Sequence, residues 1–217
     1  MRFWIALVVL FVCGLFVGNE YLFSSHWNYR ITVSVETPEG TKTGSVVRQV
    51  SAYNPMALNP DAPAMKFQVS GEAVVVDLGQ RGVLFRLIYW NSYQEFFDAF
   101  PSSDNDVMKQ IEFYNRLKVG EKAELKATTY GLVAFTDINN PKTILSVNTD
   151  NMKDIFGDGV SLKAITIERT NDPVTEGVID TWLPWLNSLK GHYLHGGMTS
   201  RNAPLSLHSG NFKTKRN

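Results

Sequence analysis

The sequence has very little cysteine and none of the short motifs that mark common catalytic sites. Its single cysteine is Cys13, which lies within an apolar segment, so the rest of the chain contains neither a disulfide nor a cysteine nucleophile. Neither the Gly-x-Ser-x-Gly pattern of a nucleophile elbow nor a Ser-x-x-Lys pair occurs. The βαβ alternation of a Rossmann or TIM-barrel enzyme is missing as well. These absences leave no positive indication of an enzyme.

Net charge is also absent, since 21 Lys and Arg residues balance 21 Asp and Glu residues. The charge is unevenly distributed, because the segment from His192 to Asn217 has no Asp or Glu but contains Arg201, Lys213, Lys215 and Arg216. An acidic body with a short basic tail is a poor binder of nucleic acid, so we expect no nucleic-acid partner. No cofactor-binding motif is present, and we expect no cofactor.

The most informative stretch that is present is the uncharged apolar run from Phe3 to Val17. A helix that spans a bilayer needs about 20 residues, and extending the run to Phe23 reaches that length. A cleaved secretory signal is the alternative, but no small-x-small site follows Val17, and Tyr21-Leu22-Phe23 is bulky. We therefore predict that residues 1–23 form an uncleaved transmembrane signal anchor.

The charges beside this segment predict its orientation. Arg2 and the α-amino group precede the apolar run, whereas Glu20 follows it and the next cation is Arg30. Because positive charges favour the cytoplasmic side, we expect the N-terminus in the cytoplasm and the main domain outside it. In a Gram-negative cell this arrangement is a single-pass inner-membrane protein whose main domain lies in the periplasm.

Downstream, the alternation of apolar and polar residues predicts a domain rich in β-structure. Tyr29–Glu36 and Lys42–Tyr53 fit half-buried strands that the turn Thr37–Gly40 joins into a hairpin. Ala73–Leu78 and Val83–Tyr89 are almost entirely apolar, which is typical of strands covered on both faces, and we expect them at the centre of the sheet. Further strands are predicted at Ala123–Thr129, Leu132–Phe135, Thr143–Val147 and Val160–Ile167.

Helices are predicted between the groups of strands. Ser92–Glu95 fits a capping box, and further helices are predicted from Asp104 to Leu117, from Thr149 or Asp150 to Phe156, and over Thr181–Leu189. These elements predict an α+β domain of mainly antiparallel β-sheet with inserted helices, which follows one N-terminal transmembrane helix. We assign residues 24–191 to this domain and residues 192–217, which have few apolar side chains, to a basic, partly disordered tail.

Several turn and packing segments form a recognisable set, namely Phe135–Thr143, Asp172–Thr175, Leu183–Leu186, Thr37–Gly40 and Gly71–Ala73. This set resembles an uncharacterised family of proteobacterial proteins that are membrane-anchored or exported. The likeness covers most of residues 29–195. The family has no assigned activity, so the resemblance implies a bacterial, membrane-linked setting and carries over no catalytic residue.

Two groups of side chains are candidates for a metal ion, and each has a simpler alternative. His192 and His195 have a spacing that allows two ligands on one helix, but the glycines around them favour solvated histidines. Asp150, Asp154 and Asp158 offer several oxygens, but their spacing is not that of an EF-hand loop, and helix capping explains them more simply. We therefore expect no metal site.

Aromatic residues are the remaining feature. Those between Trp90 and Tyr114 have helical spacings typical of core residues, with the alternative that some line a groove for a partner protein, peptide or lipid. Trp182 and Trp185 are the candidate partner-binding residues. Either both indoles are buried at the end of the sheet, or one stays exposed as an anchor for a partner or the bilayer surface.

Together these features favour a noncatalytic binding or scaffold protein of the bacterial envelope. Residues 1–23 would attach it to the membrane, and its partner would be another protein of the envelope. The alternative is an envelope hydrolase whose active site the sequence does not reveal. No feature of the sequence indicates the oligomeric state.

Overall fold

The structure, a computed structural model, describes residues 21–55, 65–126, 130–148, 150–194 and 207–215. Within these ranges no helix has both the length and the apolar composition that crossing a bilayer requires. The predicted anchor over residues 1–23 lies outside the described residues except for Tyr21–Phe23, which belong to the first strand. The anchor therefore stays a prediction.

The described chain contains ten strands and four short α-helices. The strands are β1 (Tyr21–Glu36), β2 (Lys42–Pro55), β3 (Lys66–Glu72), β4 (Val74–Asp77), β5 (Val83–Arg86), β6 (Lys122–Leu125), β7 (Leu132–Phe135), β8 (Ile144–Ser146), β9 (Ser161–Thr170) and β10 (Lys213–Thr214). The helices are α1 (Tyr93–Ala99), α2 (Val107–Arg116), α3 (Met152–Phe156) and α4 (Val178–Trp182). Single 3₁₀ segments cover Gly79–Arg81, Pro141–Thr143, Pro184–Leu189 and Ser209–Asn211.

The strands form two sheets. The first has the order β10-β3-β2-β1-β9-β6 and the second the order β4-β5-β7-β8. Every pairing in the described chain is antiparallel. The predicted α+β class with mainly antiparallel sheet and inserted helices is therefore confirmed, although one sheet was expected where the structure has two.

The β1–β2 hairpin is the longest unit of the first sheet, and the alternation in sequence predicted it. Tyr29, Ile31 and Val33 are fully buried, while the residues between them are partly exposed. The turn is closed by reciprocal backbone hydrogen bonds between Thr37 and Gly40, at 2.9 and 3.2 Å. The sequence placed the start of the first strand at Tyr29, whereas β1 begins eight residues earlier in the chain, at Tyr21.

The second sheet is covered on both faces, as the apolar sequence of β4 and β5 predicted. Side chains on one face, such as Leu84, pack against the first sheet, α1 and α2 in what we call the inter-sheet core. Side chains on the other face, such as Phe85, join Ile179 and Phe212 in what we call the outer core. The predicted central position is wrong for β4, which is an edge strand of the smaller sheet.

The two sheets approach each other closely at Gly44 of β2. A Cβ atom at this position would lie 1.8 Å from the carbonyl oxygen of Val75 on β4. No side chain fits in that space, so glycine is required here by packing rather than by backbone conformation. The contact fixes the smaller sheet directly on the backbone of the larger one.

The helices form near the predicted positions but with different caps. The predicted capping box before α1 is wrong, because the Ser92 side chain accepts a hydrogen bond from the Tyr89 N–H and not from the helix. The Glu95 carboxylate instead binds two arginines. For α2, the Asp106 side chain accepts from the N–H groups of the first turn, so this helix begins later than expected.

The C-terminal part of the chain differs most from its predicted structure. The helix expected over Thr181–Leu189 is wrong, since α4 ends at Trp182 and a 3₁₀ segment follows from Pro184, which lacks the N–H that α-helix continuation needs. In the segment assigned to a tail, Phe212 is fully buried and β10 pairs with β3. Residues 195–206, 216 and 217 of that segment lie outside the described residues.

Candidate binding groove

Trp182 and Trp185, the residues selected from the sequence, are both half-buried against the outer core. The Trp185 Nε1–H donates to the Ile138 carbonyl at 2.7 Å, and its ring meets Phe135 edge-on at 5.8 Å. Neither indole stands free of the domain, and neither lines the groove described below. Their role in binding a partner stays a prediction.

The candidate metal ligands are dispersed. His195 lies outside the described residues, and within the described ranges no three metal-ligating side chains come together. His208 has a structural contact, because its Nδ1 accepts a hydrogen bond from the Gly210 N–H at 3.0 Å and caps a short 3₁₀ turn. Asp158 forms an ion pair with Lys153 on the surface.

A cleft of about 750 Å³ lies beside β3. We call it the Trp90 groove. Its aromatic lining comes from distant parts of the chain and comprises Tyr53, Phe67, Tyr89, Trp90, Tyr130 and His208. The Trp90 indole is 82% exposed, which makes it the most exposed large apolar side chain in the described chain.

Trp90 projects from a tight turn whose backbone is well held. The Ser92 N–H donates to the Tyr89 carbonyl at 3.0 Å, and the Ser92 hydroxyl accepts from the Tyr89 N–H at 2.9 Å. Just before the turn, Ile88 and Asn211 exchange hydrogen bonds, with the Asn211 side-chain amide donating to the Ile88 carbonyl at 3.0 Å. The indole is therefore exposed on a backbone that is already ordered, which lowers the entropy cost of binding.

Tyr89 and Tyr130 form the next part of the groove wall. Their ring centroids are 4.8 Å apart, and burial raises the pKa of the Tyr89 hydroxyl above its ordinary value. Gly131 has a φ of +76°, and a Cβ atom there would lie 2.7 Å from the Tyr89 ring. Glycine is therefore required at position 131 for two reasons: it allows the left-handed backbone conformation, and it leaves space for the Tyr89 ring.

A buried charge network lies beneath this wall. The Glu95 carboxylate accepts from Arg86 Nη2 at 2.7 Å and from Arg48 Nη1 at 3.3 Å. Arg48 Nη2 also donates to the Arg86 carbonyl at 3.0 Å, and Arg48 Nε donates to the Glu72 carbonyl at 3.0 Å. Arg48 is fully buried. The network thus fixes the ends of β3 and β5, the two strands that lead into the groove.

The same network continues to the outer core through Glu72. Its carboxylate accepts from the Gly177 N–H at 2.7 Å and from the Ile179 N–H at 3.1 Å, at the start of α4. Tyr29 approaches the network from β1, and burial raises the pKa of its hydroxyl far above the ordinary value. Because the Arg48 guanidinium and the Glu72 carboxylate are buried and bound to backbone groups, they connect β3, β5 and the start of α4.

Sequence reasoning found the aromatic segment that contains Trp90 but not its exposure. Phe96, Phe97 and Tyr114, from the same segment, do pack together with Trp27 in the inter-sheet core, as predicted. The available signal for Trp90 was its position just before Asn91-Ser92, residues that favour turns. A side chain at the tip of a turn does not belong to the periodic set of helical side chains that face the core.

Comparison with family models, curated proteins and solved structures finds no match to this chain. The groove and its contacts are therefore the basis for a functional proposal.

Proposed function

We propose that this chain is a noncatalytic binding protein of the bacterial envelope and that the Trp90 groove holds its partner. The observation that carries the proposal is the 82% exposure of Trp90 at the tip of a well-ordered turn. Exposed aromatic side chains on a rigid backbone are typical anchors of protein interfaces, since they bury a large apolar area with little loss of conformational freedom.

The membrane-anchored part of the proposal comes from the apolar N-terminal run. β1 begins at Tyr21, which pairs with Pro55 at one end of the first sheet, and Tyr53 of the groove lies two residues from that end. An anchor formed by the preceding residues would leave the domain at this end. The groove would then open beside the membrane surface, where envelope proteins with their own anchors are accessible.

Site-specific photocrosslinking in cells tests the groove. Trp90 is replaced by a benzophenone amino acid in the full-length chain, and the exposed Val119 is replaced in the same way as a control. We expect a discrete crosslinked product from position 90 that position 119 does not form. Crosslinking to neither position, or equally to both, would contradict a specific partner in the groove.

The topology is tested separately. Intact-mass measurement of the membrane-purified chain should include residues 1–23, and a reporter active only outside the cytoplasm should be active when fused after Asn217. A mature N-terminus between Gly18 and Ser25, or activity of a cytoplasm-only reporter at the same position, would contradict the anchor or its orientation.

A further inference from the structure

The outer edge of β3 has no strand partner over Lys66–Gln68 within the part of the chain that the structure describes. On one side β3 pairs with β2 from Lys66 to Ser70. On the other side the only pairing in the described chain is the short contact of β10 with Gly71 and Glu72. An edge strand with unpaired backbone groups is a template for another strand, and this edge lies along the Trp90 groove.

The direction of the backbone groups follows from one hydrogen bond. The Thr214 hydroxyl donates to the Val69 carbonyl at 2.9 Å, so this carbonyl points away from β2. In an antiparallel ladder the N–H and C=O of one residue point to the same side, and every second residue repeats that direction. Phe67 therefore directs its N–H and C=O to the side away from β2, whereas the Val69 carbonyl on that side is already bound to Thr214.

The opposite wall supplies contacts for side chains. Ile88, Tyr89 and Trp90 line the groove across from β3, with Tyr130 beside them. A groove that combines a free strand edge with aromatic side chains recognises an extended polypeptide, because the edge binds main chain and the wall binds alternate side chains. A sugar polymer would use the aromatic rings but not the ladder.

The charges around the groove indicate which polypeptides would bind best. The groove lining contains no Asp or Glu, while the exposed Lys66 begins β3 and the exposed Lys215 follows β10 on the same edge. Lys213 pairs with Asp180, and the charge of Lys215 also lowers the pKa of that carboxyl. Exposed cations near an aromatic groove whose lining has no carboxylate complement a segment that carries acidic residues beside its apolar ones.

We infer that the partner enters the groove as an extended, acidic polypeptide segment that adds as a strand to the edge of β3 over Lys66–Gln68, with an apolar side chain against Trp90. This inference rests on the proposed function, since it names the chemical class of ligand for the same groove.

The test uses the full-length chain in detergent micelles and a phage-displayed library of random dodecapeptides. Peptides that bind are synthesised and measured by fluorescence anisotropy. We expect selected peptides to alternate apolar and acidic residues and to lose at least tenfold in affinity on Trp90→Ala, while Val119→Ala has no effect. Lys66→Glu should weaken binding several-fold, and the loss should shrink in high salt.

Backbone N-methylation decides whether the peptide joins the sheet. Methylating alternate amides in one register should lower affinity about tenfold or more, since each lost hydrogen bond contributes about 0.5–1.5 kcal/mol. Methylating the intervening amides, which point away from β3, should leave affinity within about twofold. Equal tolerance of both registers would overturn strand addition.

Other outcomes separate this inference from the proposed function. If no Trp90-dependent peptide is selected but chitohexaose or cellohexaose binds and Trp90→Ala abolishes that binding, the polypeptide inference fails and the binding groove stands. If no peptide or oligosaccharide binds in a Trp90-dependent way and position 90 forms no specific crosslink in cells, both fail. Selected peptides whose affinity Trp90→Ala leaves unchanged also overturn the inference.

Discussion

Two regions of this molecule carry tryptophan near the surface, and they are built in opposite ways. At the outer core, Trp185 packs edge-on against Phe135 and donates its indole N–H to a backbone carbonyl. At the groove, the Trp90 indole is 82% exposed, and the backbone turn that carries it is held by hydrogen bonds. In the first arrangement the ring and the N–H of the indole already contact groups of the same domain. In the second arrangement the ring is exposed and can contact a partner.

The two regions also differ in the interactions that stabilise them. The outer core is almost entirely apolar and joins one face of the smaller sheet to α4 and Phe212. The groove wall instead stands on the buried network of Arg48, Arg86 and Glu95, which binds both backbone and side chains. Directional contacts to carbonyls can fix an exposed turn that apolar packing does not cover.

The largest effect is expected from Glu95→Ala. It leaves the guanidinium groups of Arg48 and Arg86 buried without their carboxylate, so the free energy of unfolding should fall by about 3–5 kcal/mol. Urea unfolding followed by circular dichroism measures the change. Gln94→Ala is the control on the same helix, because Gln94 is exposed and its side chain donates to Asp98 on the surface. A Glu95→Ala midpoint equal to the parent's would show that the network does not support the groove.

Phe212→Ala tests the opposite region. The ring is fully buried and lies 5.9 Å from Phe85 in the outer core. Its removal should cost about 3 kcal/mol, at the low end for buried aromatics because the short β10 segment can relax around the cavity. The exposed Lys215→Ala is the matched control. If both variants unfold like the parent, the C-terminal segment does not contribute to the folded domain.

Trp185→Phe should have a smaller effect of about 1 kcal/mol. The substitution keeps an aromatic ring against Phe135 but removes the hydrogen bond to Ile138, which leaves a carbonyl without its donor. Trp182→Phe is the comparison, because Trp182 packs on the same core. If Trp182→Ala or Trp185→Ala weakened the groove-dependent crosslink without lowering stability, the distinction between the two tryptophan regions would fail.

The smallest effect is a pH dependence at the outer core. Lys213 and Asn187 bind the Asp180 carboxylate and lower its pKa from the ordinary value of 3.8. A depressed pKa in the folded state contributes stability above the unfolded value, and this contribution is lost as pH falls through the folded value. The parent should therefore lose slightly more stability than Asp180→Asn between pH 5 and pH 2, approximately, in thermal unfolding. Parallel curves would contradict the ion pair.

Local sequence was sufficient for elements whose neighbours in space are also neighbours in the chain. The β1–β2 hairpin follows from alternation and from a turn sequence with proline and glycine in favoured places. The β4–β5 pair follows from two apolar runs on either side of a glycine-bounded turn. In each case the strand period and the turn chemistry point to the same pairing, so no distant contact is needed to decide it.

Predictions from local sequence were wrong where a residue was compatible with two different local structures. Ser92 and Glu95 have the spacing of a capping box, but the charges of Arg48 and Arg86 attract the carboxylate more strongly than a helix N–H does. Thr181–Leu189 was predicted as one continuous helix with Pro184 tolerated in its first turn, whereas α4 ends at Trp182 and a 3₁₀ segment begins at Pro184. Both outcomes depend on groups from other strands or on packing against a core that the local window does not contain.

The sequence by itself determined the α+β class, the antiparallel hairpins and the aromatic content of the segment around Trp90. The tertiary structure alone decided the division into two sheets, the burial of Phe212 and the groove, since the groove walls come from β2, β3, the turn after β5, Tyr130 and the chain near His208. Hydrophobicity determines that an aromatic side chain gains free energy on burial. Whether a core has room for that side chain depends on the strands that pack around it, and those strands are distant in the chain.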